Sequence, residues 1–306
     1  MRQQRSARGS LARQDARAGL TLISPTVLVV GVIVIIPILW TILMAFQKIK
    51  LINLRRKGIF GELTLDNFAR VFTQDGFAES MLTTLIYTLG GAGGSLVVGL
   101  IVALALRKPF RGRGIVRGLM LLPYVAPVVA VTFGWRTMLD PTYGVVNAWG
   151  TRFLGWDEAI PFLSQDGLAL ATVIAFEIWR YFPFAFLFIT ARLGALPADV
   201  EEAARVDGAT PLQRFRHVVL PQLWPVLSVL FVLRFIFNFN EFDDVFLLTG
   251  GGAGTEVISV RVFNYLQGRQ DLGAASAQAL VLAATLVVLM ILYLRANRRS
   301  DTESPL

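Results

Sequence analysis

The chain contains no cysteine and a single histidine, His217. Disulfides, thiolate metal sites and cysteine nucleophiles are therefore excluded. One histidine in a polar loop cannot supply a histidine-based triad among apolar segments, and no HExxH pair exists. There is no GxxxxGK(S/T) loop, so the chain cannot bind ATP by that route. If ATP drives the protein, another subunit holds the nucleotide and its magnesium. No nucleophile, base and metal constellation is present, so no catalytic residue, metal site or cofactor of its own is assigned. Charged residues make up only 16% of the chain against 55% apolar, too apolar for a soluble domain of this length. The net charge is +8, but no basic patch is interleaved with aromatics, so nucleic acid is not an expected partner.

What is present is a series of long apolar runs. A spanning helix needs about 20 residues. Six runs qualify: Leu20–Phe46, Met81–Leu106, Ile115–Leu139, Leu168–Leu193, Leu223–Leu248 and Ala274–Leu294. They are continuous rather than alternating, which favours helices over barrel strands. The expected fold is all-α, a single membrane domain over 20–294, with a basic segment 1–19 before it and a tail 295–306 after it. The first run is too long for a signal peptide's apolar region of about 7–15 residues and ends in Trp40 and Phe46, so it reads as an uncleaved span.

Charge bias sets the orientation. With the N-terminus inside, the inner segments hold Arg2, Arg5, Arg8, Arg13 and Arg17, then Arg107, Lys108, Arg111, Arg113 and Arg117. They also hold Arg192, Arg205, Arg214, Arg216, Arg295, Arg298 and Arg299. Loop 140–167 is outside and mostly acidic. Loop 47–79, with Lys48, Lys50, Arg55, Arg56, Lys57 and Arg70, is the exception. Both termini are expected in the cytosol, beside an anionic inner leaflet.

Gly90 with Gly94 and Ser95 with Gly99 form small-xxx-small pairs that let helices approach closely. In the third run Pro123 and Pro127 are expected to bend the helix, and Pro183 to do the same in the fourth.

The polar segment 197–221 has clear start and stop signals. Pro197 opens a short helix to Val206, and Asp207-Gly208 ends it with a left-handed cap. Thr210-Pro211-Leu212-Gln213 reads as a capping box opening a second short helix to about Val219, and Pro221 marks entry to the fifth span. Such turn chemistry in a cytosolic loop suits a docking element better than an unpartnered surface helix.

Seven ionisable residues lie in or at the ends of the spans: Arg136, Glu177, Arg180, Arg234, Glu241, Asp243 and Asp244. Charge at the bilayer centre costs about 2.5–3.5 kcal/mol on insertion scales, so these side chains should face the interior or water. Helical spacing places Glu177, Arg180, Tyr181 and Phe184 on one stripe, Arg234, Asn238 and Glu241 on another, and Tyr124 with Val128 on a third. Such stripes suit a hydroxyl-rich solute. The competing reading is a Glu177–Arg180 or Arg234–Glu241 ion pair that locks helices. Asp243 and Asp244 are expected nearer the outer surface, solvated. An ion-coupled carrier would use Glu177 and Asp243 as proton sites.

Glu202-Ala203-Ala204, Asp207-Gly208-Ala209, Phe215 and Leu220-Pro221 together resemble the EAA motif of permease subunits from bacterial ATP-binding-cassette importers. Leu122-Pro123-Tyr124, Trp179 with Phe182-Pro183, Phe237-Asn238-Phe239-Asn240 and Leu247-Leu248-Thr249-Gly250-Gly251-Gly252 resemble its carbohydrate branch, the maltose-type permease above all. The resemblance implies the six-span type I importer (MetI-like) fold in a bacterial inner membrane. It implies a second permease subunit in a pseudo-two-fold heterodimer, two cytosolic ATPase subunits and an extracytoplasmic solute-binding protein. It implies a coupling helix seated in a cleft of the ATPase, with Glu202 in polar contact and Gly208 permitting the turn. It places solute at Tyr124, Val128, Glu177, Arg180, Tyr181, Arg234, Asn238 and Glu241. Charge at four of these departs from the maltose-type pattern and favours a different sugar, an amino or acidic sugar, or a phosphate-bearing solute such as a glycerophosphodiester.

Overall fold

The computed structural model describes residues 19–53, 62–73 and 76–302. The N-terminal arginines Arg2 to Arg17 and the loop cations Arg55, Arg56 and Lys57 lie outside the described residues, as do the side chains of Arg298 and Arg299. Apart from one isolated antiparallel bridge between Gln47 and Leu63, regular structure among the described residues is helical. Among the described residues five helices are long and apolar enough to cross a membrane: α1 (Gly19–Ala45), α3 (Phe77–Ala105), α8 (Leu168–Gly194), α10 (Pro211–Phe239) and α13 (Leu272–Thr302, apolar to Arg295). A further apolar stretch of the same length is made of pieces, α4 (Arg113–Met120), α5 (Leu122–Val125) and α6 (Val128–Leu139), and is bent by 94° at the break between α5 and α6. The shorter helices are α2 (Asp66–Thr73), α7 (Val145–Phe153), α9 (Ala198–Val206), α11 (Asp243–Thr249) and α12 (Ile258–Gln267).

The prolines do not act alike. Ala126 and Pro127 are extended, with ψ of 142° and 132°. A residue before proline avoids the α region, so Pro127 sets the bend, whereas Pro123 sits in a first helical turn where it costs nothing. This corrects the expectation that both prolines bend the span. It also separates Val128, the first residue of α6, from Tyr124 on α5. Pro183 does not break its span either: α8 runs through it from Leu168 to Gly194. Nor does Pro221 mark a boundary. A π-helical turn over Phe215–Val219 precedes it, and the second short helix of the polar loop is the N-terminal part of α10. A π turn also precedes Pro37 in α1. Widening the ladder there gives the ring room beside the preceding turn.

The chain divides into two compact units. In the first (up to 72, with 265–280), Asn67 Nδ2 donates to the carbonyls of Ala45 at 2.9 Å and Gln47 at 2.8 Å, satisfying acceptors at the end of α1. Arg70 bridges Asn67 and Asp271. A Cβ at Gly273 would lie 2.3 Å from the Gln47 carbonyl, so this contact admits only glycine.

In the second unit (73–264, with 281–306), α3 packs along α8 and α10. The glycines make this possible as expected. A Cβ at Gly99 would stand 2.9 Å from Phe186 N and 3.0 Å from Phe182 O, backbone atoms that cannot step aside. One apolar cluster joins Leu96, Phe182, Phe186, Ile189, Leu223 and Leu230. A second joins Tyr87, Val173, Phe176, Val245 and Val260. Between these clusters lies the polar group that the spans bury.

Candidate substrate-binding and coupling sites

Glu177, on α8, is fully buried, and Arg234, on α10, is 3% exposed. They form an ion pair, and Arg234 Nη2 also donates to Asn238 Oδ1 at 2.6 Å. Tyr87, on α3, donates its hydroxyl to Glu177 Oε2 at 3.0 Å. Three spans thus meet on one carboxylate. Gly91 lies one turn from Tyr87, and a Cβ there would come within 2.6 Å of both Glu177 Cγ and Asn238 Nδ2. The glycine admits the polar side chains against α3.

One turn along α8, Arg180 pairs with Asp244 of α11. The two guanidiniums share the Tyr181 ring, Arg234 at 3.8 Å and Arg180 at 5.0 Å from its centroid. A cation over a desolvated aromatic face is held by the ring quadrupole, worth about 2 kcal/mol. Tyr124, half-exposed on α5, sets its ring 6.0 Å from those of Tyr181 and Phe184. The result is a walled strip of Tyr124, Tyr181, Arg180 and Arg234. Val128 begins α6 beyond the break, and its carbonyl accepts from Thr132 at 2.8 Å.

Several readings change. α10 ends at Phe239, so Glu241 is not on the stripe of Arg234 and Asn238. It lies in the turn before α11, where Glu241 Oε1 accepts from Asp244 N at 3.3 Å and its carbonyl from Ser259 Oγ. Asp244 is fully buried rather than solvated, because α11 turns back against α8; Asp243 is exposed as expected. The ion pairs run between elements, Arg234 to Glu177 and Arg180 to Asp244, not within helices as Glu177–Arg180 or Arg234–Glu241. Sequence reasoning missed Tyr87. The signal available was a lone tyrosine one turn from a glycine cluster.

At the other end of α6 a cleft of 590 Å³ opens among Phe133, Arg136, Asp140, Tyr143, Ser164 and Thr249. Arg136 Nη1 donates to the Leu247 carbonyl at 3.3 Å. Among the described residues no three His, Asp or Glu side chains converge as a metal site.

The polar loop has the geometry its turn residues dictate. α9 ends at Val206 with Asp207 as its C-cap, and Gly208 takes φ +78°, a value that favours glycine. The Ala209 N–H closes back to Ala204 O at 3.0 Å. Thr210 N donates to Gln213 Oε1 at 2.8 Å while Gln213 N donates to Thr210 Oγ1 at 3.3 Å, a complete capping box. Adjacent glutamates point apart. Glu201 is gripped by Arg107 at 3.0 and 2.5 Å, tying α9 to the end of α3. Glu202, Ala203, Asp207 and Gly208 are exposed, Ala204 and Ala209 half-buried. Val206 and Leu212 stand 88% and 73% exposed beside them. Two apolar side chains thus stand open beside the exposed polar residues of the turn.

The chain is similar to known proteins along most of its length. The chain is 34% identical over 281 residues to the inner membrane ABC transporter permease protein YcjO of Escherichia coli, spanning 92% of this chain and 94% of that one. It is 31% identical over 290 residues to the trehalose/maltose transport system permease protein MalF of Thermococcus litoralis, spanning 94% and 96%. It is 31% identical over 240 residues to the sn-glycerol-3-phosphate transport system permease protein UgpA of Yersinia pestis, spanning 77% and 80%. Its fold superimposes with a TM-score of 0.79 on a chain of a bacterial alginate ABC transporter, crystallised with an alginate pentasaccharide-bound periplasmic protein; that match covers 96% and 98% at 23% identity. Residues 95–302, which include both the buried ion pairs and the exposed turn, match the family of binding-protein-dependent transport system inner membrane components, and the chain belongs to that family of multi-pass membrane permeases.

Proposed function

We propose that the chain is one permease subunit of an ATP-driven importer for a sugar or oligosaccharide. The permease makes half of the pathway with a second, different permease. Two cytosolic ATPase subunits bind and hydrolyse the ATP, and a solute-binding protein delivers from outside. Both termini lie in the cytosol. The observation that carries the reading is the turn at Gly208, which exposes Glu202, Val206 and Leu212 on a loop anchored through Arg107 and Glu201. That surface receives the ATPase. Closure of the ATPase pair pushes α9, and α10, continuous with the loop, carries the push to Arg234 and Asn238.

Tyr124, Val128, Glu177, Arg180, Tyr181, Arg234, Asn238 and Glu241 are the proposed solute-binding residues. Tyr124 and Tyr181 offer ring faces to the apolar face of a sugar, and the fixed guanidiniums offer donors to its hydroxyls. The trehalose/maltose and alginate relatives favour a saccharide. The sn-glycerol-3-phosphate relative keeps a phosphorylated solute as the second reading. It is the weaker one, because both arginines already face a carboxylate, Glu177 or Asp244.

The test is ATPase activity of the reconstituted complex with its binding protein, across neutral, acidic and phosphorylated ligands. Stimulation by a saccharide is expected. A complex that assembles without any ATPase subunit overturns the importer reading, and stimulation only by phosphorylated ligands overturns the sugar.

A further inference from the structure

Where α3 and α8 end beside α4, a cavity of 270 Å³ is lined by Arg107, Arg113, Arg117, Thr190 and Leu193. Three guanidiniums on one small cavity need explaining. Arg107 is satisfied by Glu201. Arg117 Nη2 donates to the Leu106 carbonyl at 3.3 Å, which serves the open end of α3. That leaves Arg113 Nε, Arg117 Nε and Thr190 Oγ1, all buried and all without a hydrogen-bond partner among the described residues. Among the described residues neither Arg113 nor Arg117 has a carboxylate within 4.0 Å. Buried donors of this kind are normally paired. Water would satisfy the hydrogen bonds but not the two positive charges.

We propose that this cavity binds an anion of the phosphate class, held by Arg113, Arg117 and Thr190. The guanidinium fork matches phosphate oxygens, and a tetrahedral group can meet donors on two helices at once. With the orientation proposed above the cavity lies at the cytosolic face, where both anionic lipid headgroups and free phosphate are available. The site is next to the coupling loop. Arg107 lines it while gripping Glu201 in the first turn of α9, so a bound anion competes with Glu201 for the shared guanidinium and loosens the anchor of the loop.

The test uses the assembled, nucleotide-free complex in two arms. In the first, native mass spectrometry follows retention of phosphatidylglycerol against phosphatidylcholine. In the second, labelled inorganic phosphate is titrated in phosphatidylcholine nanodiscs. Wild type and Arg113→Gln/Arg117→Gln are compared, with Arg113→Lys/Arg117→Lys as the charge-keeping control. Loss of two charge-assisted contacts should weaken the preferred ligand at least about tenfold in the glutamine variant, and less in the lysine one. Phosphatidylglycerol responding alone identifies a lipid headgroup; phosphate responding identifies a soluble anion. If the glutamine variant does not assemble, Thr190→Val should still weaken binding severalfold. Wild type that prefers neither ligand, or variants that bind like wild type in both arms, overturns the proposal. Both arms read occupancy of this chain, whichever solute the importer carries.

Discussion

Cutting the Glu177–Arg234 pair is the sharpest perturbation the structure offers. Both side chains are essentially out of contact with solvent. In Glu177→Ala the guanidinium stays behind, and arginine cannot shed its charge. Breaking a buried pair by removing one partner costs about 3–5 kcal/mol. Asn238 at 2.6 Å and the Tyr181 face at 3.8 Å retain part of the cation's stabilisation, which places Glu177→Ala near the lower end, about 3 kcal/mol. In Arg234→Ala the carboxylate keeps the Tyr87 hydroxyl at 3.0 Å but lies beside the Asp244 carboxylate, and a similar cost of about 3–5 kcal/mol is expected. The double variant leaves no orphan charge, so its loss should fall short of the sum by about 2 kcal/mol. Glu177→Leu/Arg234→Met should recover most of the stability, since apolar replacements of buried pairs are often neutral. The assay is equilibrium unfolding of the purified chain by SDS in mixed micelles, run as a double-mutant cycle. Single losses below about 1 kcal/mol, or losses that add within about 0.5 kcal/mol, would refute a closed pair in the folded protein. Transport adds a second axis. If the leucine and methionine variant is stable yet dead in uptake, the pair contacts solute as well as locking helices.

Glycine substitutions should divide by position along α3. Gly99→Ala meets backbone of α8 and should cost about 1–3 kcal/mol, whereas Gly93→Ala meets nothing within 4 Å and should be neutral or better, measured by thermal unfolding in detergent. At the turn, Gly208→Val forces a β-branched residue to φ +78°, at about 1–3 kcal/mol, and should abolish solute-stimulated ATPase while the purified complex stays assembled; unchanged stimulation would remove the loop from coupling. Thr210→Ala deletes one half of the capping box and should cost about 1 kcal/mol, read from the unfolding midpoint, with Thr210→Ser near wild type. Exchanging the loop anchor as Arg107→Glu/Glu201→Arg should restore coupling that either single change lowers. Equal activity in all three would show that the contact carries no load.

What the sequence revealed and concealed follows from which physics is local. The cap at Gly208, the box at Thr210–Gln213 and the extent of α8 depend on neighbours a few residues away, and all were readable. The proline rule was readable only in part. A proline's effect depends on the conformation of the residue before it and on whether a π turn precedes it, which separates Pro127 from Pro183 and Pro221. Helical periodicity put Arg234 with Asn238, and Glu177 with Arg180, on common faces, but a period says nothing about which helix lies opposite. The ion pairs cross sequence separations of 57 and 64 residues. Asp244 shows the limit most clearly. Nothing local distinguishes it from Asp243, yet one is exposed and the other buried, because α11 turns Asp244 toward Arg180. Neighbouring carboxylates acquire opposite environments through a partner on another helix, and Glu201 and Glu202 repeat the division at the far end of the molecule. In both places one acid holds the frame, leaving the other free to face outward.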